Sequence, residues 1–541
     1  MRRAMNRRLR LLPLLAALAL PPLHAATAQD AGPQNAPAQS APGQSEQSRS
    51  APKPAERSGG GFDAQRSETK HQLPLPSGPL AYTAVAEFLP LREGPRDEAA
   101  ARVFTVSYTL DGGAPSGESR GRRPVAFVFN GGPGASSAYL HLGALGPKVV
   151  GFNDDGSLAR PPAPLLDNPD SWLAFTDLVF IDPVGTGYSR GIPRDGGARE
   201  GGARREEDPG KRFWSIDADS RAMAEIVRLW LTRNGRWESP KFLVGESYGG
   251  FRIAKMANRL IGDTGIAVNG LIMVSPVVDF ATIRGGGGLL VPALRLPSYA
   301  ASAAANGLAS GSPEQAAEAA ERYALGGFLT GLAGLDYRRP GAAQGFFAEV
   351  ARTIGLPEEL VTRFRGEIPT DVFARELLRG KGRVVSVYDG TFTAADPDPS
   401  AARLPFDPFL RGTVPTYTTA FAAYAHEWLG VRTEVPFDLL SERVNRDWEW
   451  PRSGQPSAVD DLQSALTLQP ALRVLIAHGR TDLITPYMAS RWVASRLELP
   501  DGQADRVAVT VYEGGHMMYT RAPERAKLAA DARALIEAAL R

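Results

Sequence analysis

Short β-rich runs alternate with amphipathic helical stretches through most of this chain, and that alternation narrows the available folds more than any other feature. Residues 103–109 and 125–129 read as strands. The runs 178–181, 242–244, 474–477 and 507–512 are apolar enough to be buried on both faces. Between them lie helical stretches such as 217–232, with Ala222, Ile226, Leu229 and Trp230 near one face. The rhythm implies an α/β fold with a mostly parallel central sheet and helices on both faces. It breaks between Asp279 and about Ser464, where an Ala-rich, largely helical stretch without clear strands begins after Gly285–Gly288. Because the β pattern then resumes, residues 281–464 read as a cap inserted over the sheet.

The two ends of the chain differ. Residues 1–28 carry Arg2, Arg3, Arg7, Arg8 and Arg10 and no acid, then an apolar run over 11–20 and Ala26-Thr27-Ala28. This is the pattern of a cleaved secretory signal peptide, so the expectation is an exported, periplasmic or extracellular protein. Pro13, Pro21 and Pro22 interrupt a core about half as long as the roughly twenty residues a membrane span needs. Residues 29–75 are rich in Pro, Ala, Gln, Ser and Gly, with Phe62 the sole aromatic, and read as a disordered tether. Folding should begin near Leu80, with a single large catalytic domain over 76–541. No later stretch suggests stable membrane insertion.

Composition removes whole classes of function. The absence of cysteine excludes disulfide scaffolds, iron–sulfur clusters and a cysteine nucleophile. Sixty-one Lys+Arg against 59 Asp+Glu gives +2, no footprint of a nucleic-acid binder, and the leader's arginines outweigh that whole excess.

Two segments match G-x-S-x-G: Gly187-Tyr188-Ser189-Arg190-Gly191 and Gly245-Glu246-Ser247-Tyr248-Gly249. A nucleophile elbow needs a strand before it and a helix after it, so that a strained turn exposes the hydroxyl. Ser247 has both, in 242–244 and 251–261, whereas Ser189 runs into Gly191, Pro193, Gly196 and Gly197, which is loop chemistry. A serine hydroxyl needs a base. Outside the leader the histidines are His71, His141, His426, His478 and His516. His516 follows Gly514-Gly515 directly after the last predicted strand, where its ring can reach over the sheet edge. His71 lies at the tether boundary, His426 in the insertion, His141 in a setting that suits packing, and His478 close to the acid's own strand. Asp482, after the run 474–477, is placed to fix the imidazole. Ser247, Asp482 and His516 stand in the chain order of an α/β-hydrolase. The N–H of Tyr248 and one from Asn130-Gly131-Gly132-Pro133-Gly134 would form the oxyanion hole. No metal site is expected.

Taken together, the segments 130–137, 182–189, 245–250, 479–482 and 514–517 resemble the serine carboxypeptidase family. The resemblance implies an α/β-hydrolase fold with a helical cap and removal of C-terminal residues from a peptide through an acyl-enzyme, with no cofactor. It assigns Ser247, Asp482 and His516 to catalysis, Gly132 and Tyr248 to the oxyanion hole, and Asn130, Gly131 and Glu246 to the substrate's free carboxylate. A glutamate facing a carboxylate must share a proton with it, which favours acidic conditions. Two departures stand out. Ala135 replaces a family cysteine, and Ala144 stands where the family often has a second carboxylate-binding glutamate before Leu-Gly-Pro. The second loosens the expectation of strict C-terminal recognition and leaves room for an esterase or acyltransferase. A proline-type aminopeptidase shares the glycine-proline-glycine loop and elbow.

Overall fold

The computed structural model describes residues 66–541 except 95–96, 113–121, 194–207, 285–287, 340, 342 and 402. The expected leader and most of the expected tether lie outside the described residues. Arg66–Leu73 is a strand, β1, although composition places it in the tether. Leu73 is its one apolar residue, so no hydrophobic signal marks it. Ladder hydrogen bonds to β2 (Leu80–Glu93) hold it at the sheet edge, where polar side chains are tolerated.

The sheet continues through β3 (Glu98–Leu110), β4 (Val125–Phe129), β5 (Asp177–Ile181), β6 (Lys241–Glu246), β7 (Gly270–Val274), β8 (Arg473–Gly479) and β9 (Val507–Tyr512). The spatial order is β1-β2-β3-β5-β4-β6-β7-β8-β9, and the two-residue strand Arg190–Gly191 pairs with β3. β1, β2, β3 and β5 pair antiparallel, and every pairing from β5 to β9 is parallel.

β4 to β8 are buried on both faces, as their unbroken apolar runs require, whereas β9, expected to be buried likewise, lies at the sheet edge with Tyr512 its one buried residue and Ala508 exposed. In β4, Ala126 and Val128 enter the core on one face, while Val125, Phe127 and Phe129 enter that on the other. Helix α1 (Ile216–Asn234) lies on the second face. Ser215 caps its start through Ala218 N, Gly235 ends it in the left-handed conformation, and Trp230 packs edge-on against Phe127 at 5.5 Å. Complete burial of a side chain such as Ile226 contributes about 1.5–3 kcal/mol.

The insertion divides by packing. Helices between Leu289 and Leu404 surround their own core, which includes Leu296, Tyr299, Val350 and Phe373 and is joined by Leu483. Within this part Arg383–Val385 and Thr393–Ala395 form a short hairpin that periodicity did not show. Residues farther along join the cores of the sheet instead, Tyr417, Phe421 and Leu439 on one face and Val444 and Trp448 on the other.

Candidate active site

β4, β6, β7, β8 and β9 stand in that order in the sheet, and the segments at the ends of β4, β6, β8 and β9 carry Asn130–Gly132, Glu246–Tyr248, Asp482 and His516 respectively. Gly245 in β6 pairs with Phe129 in β4, so the glycine loop after β4 begins beside the elbow after β6. At the elbow Ser247 has φ 59° and ψ −123°, a conformation that L-residues avoid. It caps helix α2 (Tyr248–Thr264), its N–H donates to Val274 O at 2.9 Å, and it keeps partial exposure between buried neighbours. The sequence therefore folds into a strand–turn–helix that lifts one hydroxyl out of the core.

Glycines allow the glycine loop to press against this turn. A Cβ on Gly131 would sit 2.6 Å from both Glu246 O and Tyr248 N, and one on Gly249 would sit 2.7 Å from Phe129 O. Larger residues would separate the two chains, and with them Gly132 from the Tyr248 N–H. As the first residue of α2, Tyr248 has an N–H without an intrahelical acceptor. Arg252 donates to Asn130 O and is paired in the interior with Asp219. From the insertion, Ser136 N donates to Leu439 O and Asn445 Nδ2 to Pro133 O, bracing the same loop.

His516 and Asp482 meet with Nδ1 2.7 Å from Oδ2. Asp482 is 0% exposed and His516 3%. Asp482 Oδ1 accepts from the N–H groups of Ile484 and Thr485, and the Thr485 hydroxyl lies 2.7 Å from Oδ2. These contacts hold the carboxylate against the imidazole. Burial alone would lower the His516 pKa, but the charge and hydrogen bond of Asp482, together with Glu246, hold it above the ordinary histidine range. No hydrogen bond joins Ser247 Oγ to His516 among the described residues; such contacts tighten when substrate binds.

Glu246 is buried directly before the elbow serine. Its Oε2 accepts from Asn130 Nδ2 at 2.6 Å and from the Tyr519 hydroxyl at 2.9 Å. Desolvation pushes its pKa up to about 7 despite the opposing effect of His516 and of these two donors. A neutral carboxyl beside the imidazole is thus available near neutrality.

The other candidates separate cleanly. Ser189 is 0% exposed; its Oγ accepts from Phe104 N and donates to Asp182 O, so the second G-x-S-x-G is a packing motif. His141 stacks on Phe180 and meets the Tyr108 hydroxyl at 2.6 Å. Burial lowers its pKa to about 3. His478 Nε2 meets Ser490 Oγ at 2.8 Å. His71 meets Thr69, and His426 sits beside Arg432. Sequence reasoning missed Thr485 and Tyr519, although each lies three residues beyond a singled-out residue, about one helical turn away. It also missed Tyr139, Tyr388 and Tyr417, which no spacing connects. Among the described residues no cluster of His, Asp and Glu could hold a metal ion.

The strand order is that of an α/β-hydrolase fold. Residues 114–319 match the family model described as serine carboxypeptidase. Serine carboxypeptidase-like 26 of Arabidopsis thaliana is 28% identical over 171 residues, 31% of this chain and 33% of that protein. Pheromone-processing carboxypeptidase KEX1 of Saccharomyces cerevisiae is 35% identical over 142 residues, 26% of this chain and 17% of that protein. These matches span a third or less of the relatives' length. The solved structure of the yeast KEX1 prohormone-processing carboxypeptidase superimposes with a TM-score of 0.50 at 16% identity, covering 83% of this chain and 91% of that one. Over residues 114–319 the chain is thus similar to the serine carboxypeptidase family.

Proposed function

We propose that this protein is an exported serine carboxypeptidase that releases residues from the free C-terminus of peptides. The observation that carries the reading is the adjacency of a buried Glu246 carboxyl, half-neutral near pH 7, to the His516–Asp482 pair at the elbow of Ser247. A terminal carboxylate is repelled by an ionised glutamate and bound by a protonated one.

In the reaction, Ser247 Oγ attacks the carbonyl of the last peptide bond while His516 takes its proton. Asp482 keeps the imidazole in the required tautomer and stabilises the imidazolium. The N–H groups of Gly132 and Tyr248 hold the oxyanion. His516 then gives the proton to the departing amine, the acyl-enzyme remains on Ser247, and water activated by His516 releases the shortened peptide. Asn130, Gly131 and protonated Glu246 hold the carboxylate of the departing residue.

Ala144, in place of the family's second glutamate, favours a second reading, an esterase or acyltransferase built on the same triad. Peptides with blocked N-termini, ending in free acid, amide or methyl ester, separate the readings and exclude an aminopeptidase. The proposal expects cleavage of the free acid and negligible cleavage of the amide; turnover of the ester alone overturns it. Export rests on the arginine-rich leader. Among the described residues no helix is long and apolar enough to cross a membrane.

A further inference from the structure

Four tyrosines from four separate segments stand around Glu246. Tyr139 follows the glycine loop, Tyr388 and Tyr417 come from the insertion, and Tyr519 lies just beyond His516. The rings of Tyr139 and Tyr417 pack with centroids 4.9 Å apart. Tyr417 and Tyr519 meet over Gly143, where a Cβ would sit 2.6 Å from the hydroxyl of the first and the ring edge of the second. Glu246 is close enough to act electrostatically on all four.

Their hydroxyls are not equally employed. That of Tyr519 donates to Glu246 Oε2, the oxygen that also accepts from Asn130. Those of Tyr417 and Tyr139 are fully buried and have no hydrogen-bond partner. Thr413, beside Tyr139, turns its own hydroxyl to Leu410 O. A buried hydroxyl without a partner is costly, and a second carboxylate beside Glu246 would offer both phenols an acceptor. A substrate carboxylate brings two oxygens with about four lone-pair sites, enough for both phenols and for a proton on Glu246 Oε1. A terminal amide brings one acceptor for two phenol donors, so it cannot satisfy both as a carboxylate can.

We infer that the hydroxyls of Tyr417 and Tyr139 complete the pocket for the substrate's terminal carboxylate, so that selection of a free C-terminus rests on neutral donors as well as on Glu246. This deepens the carboxypeptidase reading and rests on it. Ala144, where the resemblance leads one to expect a second glutamate, has no side-chain donor to offer, and the two phenols would supply one. Burial raises the pKa of both phenols, so they keep their protons through the range in which Glu246 loses its own. The carboxyl is faced by His516, Asp482, Asn130 and the four tyrosines.

The test compares wild type with Tyr417→Phe and with the Tyr139→Phe/Tyr417→Phe double variant, on one peptide as free acid, as amide and as methyl ester. Removing a hydrogen bond to a charged group should raise KM for the free acid about tenfold or more in the single variant and further in the double, with kcat changing far less. KM for the ester should hold. Across pH 6 to 8 the double variant should lose free-acid binding more steeply than wild type, because a larger share of that binding then depends on the proton of Glu246. Thermal unfolding checks that the fold survives. An equal rise in KM for both substrates, or none for the acid, overturns the inference. If wild type itself does not prefer free acid to amide, the carboxypeptidase reading fails; if it does and the double variant keeps that preference undiminished, this inference alone fails.

Discussion

The main-chain N–H of His516 donates to the carbonyl oxygen of Tyr388 at 2.6 Å, tying the loop that carries the candidate base directly to the insertion. The same segment reaches the loop of the candidate acid. Leu483 N donates to Val387 O, Gly390 N to Thr481 O, and the Thr481 hydroxyl to Asp389 Oδ1 at 2.8 Å. A chain without cysteine leads one to expect that packing alone holds the insertion; these hydrogen bonds correct that. Asp389 also accepts from Thr391 and Arg521. Asp389→Ala should therefore destabilise the fold by about 2–4 kcal/mol and lower kcat more than it raises KM. Thermal unfolding with steady-state kinetics checks this, and an unchanged kcat would show that the clamp does not position the triad.

The two serines of the G-x-S-x-G motifs should respond in opposite ways. Ser247→Ala removes the proposed nucleophile from a partly exposed position, so the fold should hold while kcat falls about 10⁶-fold. Ser189→Ala leaves Phe104 N without its acceptor and Asp182 O without its donor, costing about 1–3 kcal/mol with kcat per folded molecule retained. Denaturant unfolding and active-site titration on both variants distinguish the roles.

Asp482→Asn preserves shape while it removes the charge that holds the His516 tautomer. A fall in kcat of about 10⁴-fold is expected, with the free-acid KM little changed. A loss below tenfold would mean that another group orients His516.

Proton occupancy predicts the sign of the pH response. Glu246 is held near 7 against an ordinary value of 4.5, so its contribution to stability is complete below 4.5 and is lost as pH rises through about 7. Binding of a free-acid substrate should weaken over the same range. His516 must be neutral to accept a proton, and Glu246 is one of the groups raising its pKa. Glu246→Gln should therefore move the acid limb of kcat/KM for an ester substrate to lower pH and flatten stability between pH 5 and 7. An acid limb that stays in place or moves upward would show that the two groups are not coupled.

What could be read from the sequence was whatever is written locally. The strand–serine–helix order at Ser247, the glycine pair before His516 and the apolar run before Asp482 each carry their signal within a few residues, and the structure brings them to adjoining strand ends. β1 stayed hidden because its pairing is a main-chain matter with almost no apolar side chain. β7 escaped because a five-residue apolar run has no alternation to separate it from buried helix. The tyrosine cluster at 139, 388, 417 and 519 is set by tertiary packing of distant segments, which spacing cannot reveal.

The central claim is that Ser247 drives release of residues from a free C-terminus. The most direct measurement incubates one N-terminally blocked peptide, as free acid and as amide, with wild type and with Ser247→Ala, and follows product masses over time. The account predicts a ladder of losses from the C-terminus of the free acid, no ladder from the amide, and none from either with Ser247→Ala. Equal attack on the amide, or a ladder that persists in the variant, would contradict it.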